Sequence, residues 1–156
     1  MAGSLLLKEQ ALVALTTTGA SLTTGSGAAA GVNLDARTAG NAADFFSAIF
    51  ELVAQWATAP AGAGTVIADL YLVPALDGTN FPAVDMTAGT SYIAFAQRVG
   101  SFVAALAPVA ATNTRFVSNQ VDLQPLLYKA YIINRSGQTI SVNWALNVVA
   151  SAAQYT

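Results

Sequence analysis

The stretch from Thr139 to Val149 constrains the fold of this chain more than any other. Ile140, Val142, Trp144, Leu146 and Val148 are apolar, and Thr139, Ser141, Asn143, Ala145 and Asn147 fall between them. Alternation at period two puts one set on each face of an extended strand, a spacing that no helical stripe produces. Tyr128 to Asn134 reads as a second strand, and Arg135-Ser136-Gly137-Gln138 between them reads as a turn, so the two segments predict a hairpin.

Further strand signals run back along the chain. Arg115 to Leu123 alternates, and so does Val32 to Arg37. Thr90 to Val99 reads as a strand, with Gly100 marking a bend or bulge before Phe102 to Leu106. Thr65 to Val73 is rich in β-branched and aromatic residues, and Pro74 is expected to end it by withholding a ladder donor. Asp77-Gly78, followed by Thr79, Asn80 and Pro82, predicts a turn; so do Thr38 to Ala43, Ala59 to Gly64 and Pro108 to Thr114.

Residues 44–57 fit two periods. Phe45, Ile49, Leu52 and Trp56 have helical spacing, whereas Phe46, Ala48, Phe50, Leu52, Ala54 and Trp56 form an unbroken apolar series at period two. A strand with the even positions buried accounts for Ser47, Glu51 and Gln55 on the other parity. About eight strands between breaker-rich turns predict an all-β chain: a two-sheet antiparallel β-sandwich, jelly-roll-like, with an N-terminal arm.

That arm is residues 1–31, an arm or edge strand plus a low-complexity linker; residues 32–156 are the sandwich domain. Leu5, Leu6, Leu7, Leu12, Val13 and Leu15 precede a Thr/Gly/Ser/Ala stretch, Thr16 to Gly31, in which Leu22 is the one large residue. Two readings stand for residues 5–15: an arm received by a neighbouring subunit, or the first strand of the chain's own sandwich.

Composition narrows function. Only 9% of the residues are charged, against 54% hydrophobic, and the formal net charge is −2. A typical domain is about 25% charged. A folded chain of this mass exposes roughly 7,400 Å², or about one charge per 500 Å², a sparse cover for a surface left free in solution. The chain is too apolar for disorder. With no Cys and no His, it has no disulfides, thiolate metal site, imidazole base or His-ligated metal. Six scattered cations at pI ≈ 4.7 cannot neutralise a phosphate track, so nucleic acid is not an expected partner. The apolar run from Val99 to Ala111 contains Gly100, Ser101 and Pro108 and is too short to span a bilayer, so no membrane is expected either. Three leucines followed by Lys8 do not make a signal peptide.

Candidate chemistry is thin. Asp69, Asp77 and Asp85 are the densest acidic stretch, but Asp-Gly has a sufficient reason in its turn and Asp69 is a polar-face strand position. Asp77, Thr79, Asn80 and Asp85 offer oxygen atoms for calcium without the spacing of a known loop. A Ser–Lys dyad would need Lys8 or Lys129, neither of which sits in a motif, and Gly25-Ser26-Gly27 lacks the lysine of a phosphate loop. Asn134-Arg135-Ser136 matches the short glycosylation pattern. Trp56, Trp144, Tyr71 and Tyr92 are candidates for a sugar-binding groove. Both tryptophans fall on inward parities, which leaves Tyr71 the best exposed aromatic. Arg98, Arg115 and Arg135 read as isolated cations at partner contacts or in solvent. No catalytic, cofactor or metal residues are expected, and no enzyme activity.

Two segments carry a resemblance. Ala59-Pro60 through Leu70-Tyr71-Leu72-Val73-Pro74-Ala75-Leu76-Asp77-Gly78-Thr79-Asn80, and Leu123-Gln124-Pro125-Leu126-Leu127-Tyr128-Lys129-Ala130-Tyr131-Ile132-Ile133-Asn134-Arg135-Ser136-Gly137-Gln138, resemble small jelly-roll structural proteins of tailed bacteriophages, of the capsid decoration or cement type. The resemblance spans roughly residues 45–149 and rests on strand and turn signatures. It implies a virion protein made in the host cytoplasm and placed on the capsid exterior. Its partners would be the major capsid protein and further copies of itself, as a homodimer or homotrimer. It brings no catalytic residues. Two other readings compete: a carbohydrate-binding β-sandwich module, and a phage tail or baseplate adaptor.

Overall fold

The computed structural model describes residues 5–9, 11–37, 45–84 and 97–155. Among them there is no helix, and the strands form two antiparallel sheets. The first sheet has the order β1 (Leu5–Glu9), β11 (Trp144–Tyr155), β5 (Phe45–Ala54), β8 (Thr114–Val117); β2 (Val13–Gly19) also pairs β11, and β9 (Val121–Asp122) also pairs β5. The second has the order β3 (Gly27–Ala29), β10 (Leu127–Asn134), β6 (Val66–Ala75), β7 (Gln97–Val103), with β4 (Leu34–Asp35) on β10.

Three pairs of short strands each follow one partner: β1 and β2 along β11, β3 and β4 along β10, β8 and β9 along β5. Each such pair is one interrupted arm, and the chain then runs through eight arms. The first pairs with the eighth, the second with the seventh, the third with the sixth and the fourth with the fifth. That is one long hairpin rolled into two sheets, the jelly-roll topology. The expected all-β sandwich is therefore the observed fold. The segment expected as arm and linker supplies strands to both sheets, and Leu22, buried at 5% exposure, bridges Ile140.

Leu15, Phe50, Trp56, Leu70, Phe102 and Ile132 are among the residues of the core between the sheets. Within β5 the sequence resolves as a strand, but its parity slips once. Ser151 and Ala152 of β11 pair with Ser47 and Phe45, which leaves Phe46 as the extra residue of a bulge. Phe45 turns inward and Phe46 lies exposed at 39%, so the buried even series begins at Ala48 rather than Phe46.

Several expectations are corrected. Tyr128–Asn134 and Thr139–Val149 are not a hairpin, because β10 and β11 belong to different sheets. The turn after β10, with Gly137 at φ 77, leads into a crossing between the sheets: Ile140 bridges Leu22 and Trp56, and a second turn places Asn143 at φ 67. Val142, on that second turn, is exposed. Pro74 does not end β6, which pairs onward to Ala75. The Arg135 amide donates to the Ile67 carbonyl at 2.8 Å, which fixes the ladder phase and makes Pro74–Tyr128 a pair that exchanges no hydrogen bond. On the other side of β6 the last pairing is Leu72 with Gln97, so nothing among the described residues asks Pro74 for a donor. Arg115–Leu123 is split at Ser118, whose Oγ accepts the Phe50 amide at 3.0 Å in place of a backbone carbonyl. In Val32–Arg37 only Leu34–Asp35 is strand, with Leu34 and Ala36 buried as the alternation requires. The bend expected at Gly100 is a register shift between its pair with Leu70 and the Arg98–Tyr71 pair, inside a strand that runs on to Val103. The expected turn at Thr38 to Ala43 and the strand residues Thr90 to Ala96 lie outside the described residues.

Two contacts lock the crossing. Trp144 is 2% exposed, donates from Nε1 to the Ala20 carbonyl at 2.7 Å and lies flat on Gly19. A Cβ at position 19 would run into the indole ring. Asn134 is fully buried: its Nδ2 donates to the carbonyls of Leu22 and Gln138, and its Oδ1 accepts from the amide and hydroxyl of Ser136. The Ser136 hydroxyl in turn accepts Trp56 Nε1 at 3.2 Å. Every hydrogen-bonding position of the Asn134 amide is used, which leaves none open to a glycan.

Candidate functional site

The acidic candidates sit in separate surroundings. Asp69 projects from β6, and Asp77 lies beyond the end of that strand, roughly 20 Å or more away at the rise of a strand. Asp77 Oδ1 accepts the amides of Thr79 (2.9 Å) and Asn80 (2.7 Å), and Oδ2 accepts Asn80 Nδ2 at 2.8 Å. These bonds push its carboxyl down to about 2. Asp77, Thr79 and Asn80 do come together, but as a self-capped turn with Gly78 at φ 79. Asp85 lies outside the described residues. Among the described residues no three acidic side chains assemble as a metal site.

Asp69 is the centre of an ion-pair cluster. Its Oδ1 accepts Arg98 Nε at 2.9 Å, Arg98 Nη2 at 2.7 Å and the Ser101 hydroxyl at 2.8 Å; its Oδ2 accepts Arg135 Nε at 2.9 Å. Burial pushes the carboxyl up, and the hydrogen bonds from Arg98, Arg135 and Ser101 more than reverse it, so Asp69 stays below the usual carboxylate range. Arg115 Nη1 donates to both oxygens of Glu51 at 2.9 Å, and Arg37 pairs Asp35. The arginines are therefore not the isolated cations that the sequence suggests: Arg37, Arg98, Arg115 and Arg135 all hold carboxylates of their own chain. The signal was obscure for Arg98, Arg115 and Arg135, whose partners stand 29, 64 and 66 residues away.

The aromatic candidates divide as their parities imply. Trp56 and Trp144 are buried, with Trp56 edge-on to Phe116 at 5.9 Å. Tyr71 is half-buried beside the Asp69 cluster, where Arg135 meets its hydroxyl. Tyr92 lies outside the described residues. Lys129 Nζ stands 5.9 Å from the Phe81 ring centroid, a cation–π contact and not a dyad with serine.

The surface feature that sequence reasoning missed is apolar. Between the end of β7 and β8 lies an open groove of about 540 Å³, lined by Val103, Leu106, Pro108, Val109, Phe116 and Val117 with neighbouring small residues and Arg115. Leu106 is 81% exposed, Val109 63% and Val117 62%. Its sequence signal was present: Leu106 and Val109 are large apolar residues flanking Pro108, in a connection where polar residues are the rule. Val117 also borders the outer face of the first sheet, directly across from Glu51 and diagonal to the exposed Ile49. The groove thus turns the sandwich edge onto that face.

No protein-family model matches the chain, and no curated protein does. Among solved structures, a chain in the "Structure of infectious bursal disease virus Gx strain" aligns over 98% of this chain at 12% identity, with a TM-score of 0.31. This chain spans about a third of that one, 32% of its length.

Proposed function

We propose that the protein is a virion structural component of the capsid decoration or cement type. It binds the major capsid protein lattice from outside, associates with itself as a dimer or trimer, and catalyses no reaction. The observation that carries this reading is the rim groove: large apolar side chains held open to solvent on the sandwich edge, beside Arg115, which Glu51 neutralises. Such a groove has much to gain from an apolar protein partner. Modest affinity per copy is enough, because an array of linked contacts on a lattice multiplies it. Among the described candidates both tryptophans are buried and Tyr71 is half-buried, which leaves little of the platform that a carbohydrate module needs and favours the structural reading.

The test is co-sedimentation with empty capsids produced from the genome that encodes the chain. The unaltered protein pellets with capsids, and Leu106→Asp with Val109→Asp stays in the supernatant while keeping its far-UV spectrum and melting temperature. Equal pelleting of both proteins, or of neither, defeats the proposal.

A further inference from the structure

The Asp69 cluster carries more positive charge than its own carboxylate balances. Two guanidinium groups, Arg98 from β7 and Arg135 from the turn after β10, share the one carboxylate of Asp69. The cross-strand neighbours are Ile133 and Ser101 opposite Asp69, and Tyr131 and Arg98 opposite Tyr71; none is acidic. Among the described residues the other carboxylates that might compensate are engaged: Asp35 with Arg37, Glu51 with Arg115 and Asn147, Asp77 in its turn. Among those residues the cluster keeps one positive charge over, on a chain whose formal net charge is −2.

The donors are left over as well. A carboxylate offers about four acceptor positions, and Asp69 fills them with two bonds from Arg98, one from Ser101 and one from Arg135. Each guanidinium has about five N–H donors. Arg98 and Arg135 remain 55% and 45% exposed, against 9% for Asp69. The buried carboxylate holds both side chains at their Nε edges; Arg98 Nη2 also donates to the Ser101 hydroxyl and Arg135 meets the Tyr71 hydroxyl, and the remaining donors, Arg98 Nη1 among them, have no partner among the described residues. This is a pre-organised fork for a second carboxylate.

We propose that Arg98 and Arg135 receive a carboxylate from an acidic segment of a different protein. A second copy of this chain is poorly equipped, because its eight Asp and Glu residues never stand side by side. An acidic sugar finds a single half-buried ring here, Tyr71, whose hydroxyl Arg135 already meets, while Tyr131 is 7% exposed and both tryptophans lie in the core.

A hexaglutamate peptide is the probe, titrated into the full chain while the arginine Nε–H resonances are followed by NMR. The Arg98 and Arg135 signals shift together, and the shift disappears at about 1 M salt, where the screening length is about 3 Å. Arg135→Gln removes the surplus charge and weakens binding at least about threefold. Asp69→Asn adds to the surplus and strengthens it, an opposite sign that loss of structure cannot mimic. The titration of the unaltered protein stands alone if a variant fails to fold. Absence of any shift, or binding indifferent to both variants, overturns the proposal. Polygalacturonate binding as tightly as the peptide overturns the peptide assignment, and self-association broken by Arg135→Gln overturns the choice of a different protein.

Discussion

The crossing around Asn134 and Trp144 and the rim around Leu106 are built from similar materials and end differently. Both are non-strand connections that carry large apolar side chains at the margin of the sandwich. At the crossing, Ile140 and Trp144 are buried, the indole rests on a glycine, and Asn134 and Ser136 satisfy every polar group that the turn brings inside. At the rim, Leu106, Val109 and Val117 stay largely exposed. The first connection has been closed by fitted contacts and contributes stability. The second has been left open, and its apolar surface is available to a partner. Apolar content alone does not separate the two; what separates them is whether the chain supplies a matching surface.

If that contrast is right, substitutions at the crossing unfold the protein and substitutions at the rim do not. The largest effect is expected for Trp144→Ala, which removes a buried aromatic and its bond to Ala20: about 3–5 kcal/mol by denaturant titration. Gly19→Val acts on the same contact from the other side, by forcing the indole off its seat. An unchanged melting temperature for either would show that Trp144 does not anchor the fold.

Asn134→Leu comes next. It leaves the Ser136 amide without its acceptor and takes one of two donors from each of the Leu22 and Gln138 carbonyls, which keep the Ile140 amide and the Ser136 hydroxyl. We expect a loss of about 1–3 kcal/mol, the cost of a buried group left unpaired, read by the same titration. A neutral result would mean that water reaches the crossing, and the contrast with the rim would soften.

Acid tests the ion pairs. Asp69, Glu51, Asp35 and Asp77 all have carboxyls held below their ordinary values in the folded chain. A depressed folded value means stability that is present above the unfolded value and lost as pH falls through the folded one. Stability is therefore expected to hold down to about pH 4.5, where the highest of the unfolded values lies, and to fall below it. With no His in the chain, no step is expected between about pH 5 and 8. Melting temperatures across that range check both statements, and a transition near pH 6.5 would contradict them.

The smallest stability effect is predicted at the rim. Leu106→Asp and Val109→Asp replace largely exposed side chains, and each should lie within about 0.5 kcal/mol of the unaltered protein. A loss as large as that at the crossing would mean that the groove is part of the core.

Much of the fold was legible because period-two alternation survives wherever one strand face is buried. Leu146 and Val148 keep their expected face, and Phe50, Leu52, Ala54 and Trp56 keep theirs. What alternation does not encode is the partner of each strand. β10 and β11 are adjacent in sequence with a turn between them, yet belong to opposite sheets, because Asn134 and Ile140 bond to residues near position 22 that only the rolled-up topology brings close. The bulge at Phe46 was hidden for a related reason: two adjacent phenylalanines fit either parity, and β11 decides between them. The ion pairs of Arg98, Arg115 and Arg135 were the least legible, since each joins segments far apart in the chain; the groove is local, within residues 103–117, but nothing in the sequence says which loop side chains stay open. The exposed Leu106 was readable only as an apolar residue out of place.

The central claim is that the open rim meets a capsid lattice. The direct measurement is a cryo-EM map of virions from the genome that encodes this chain, compared with particles made without it. The account predicts extra density on the capsid exterior into which the eight-arm sandwich fits, with Leu106, Val109 and Val117 turned toward the major capsid protein. Virions without this chain, or density in which the rim faces solvent, would contradict it.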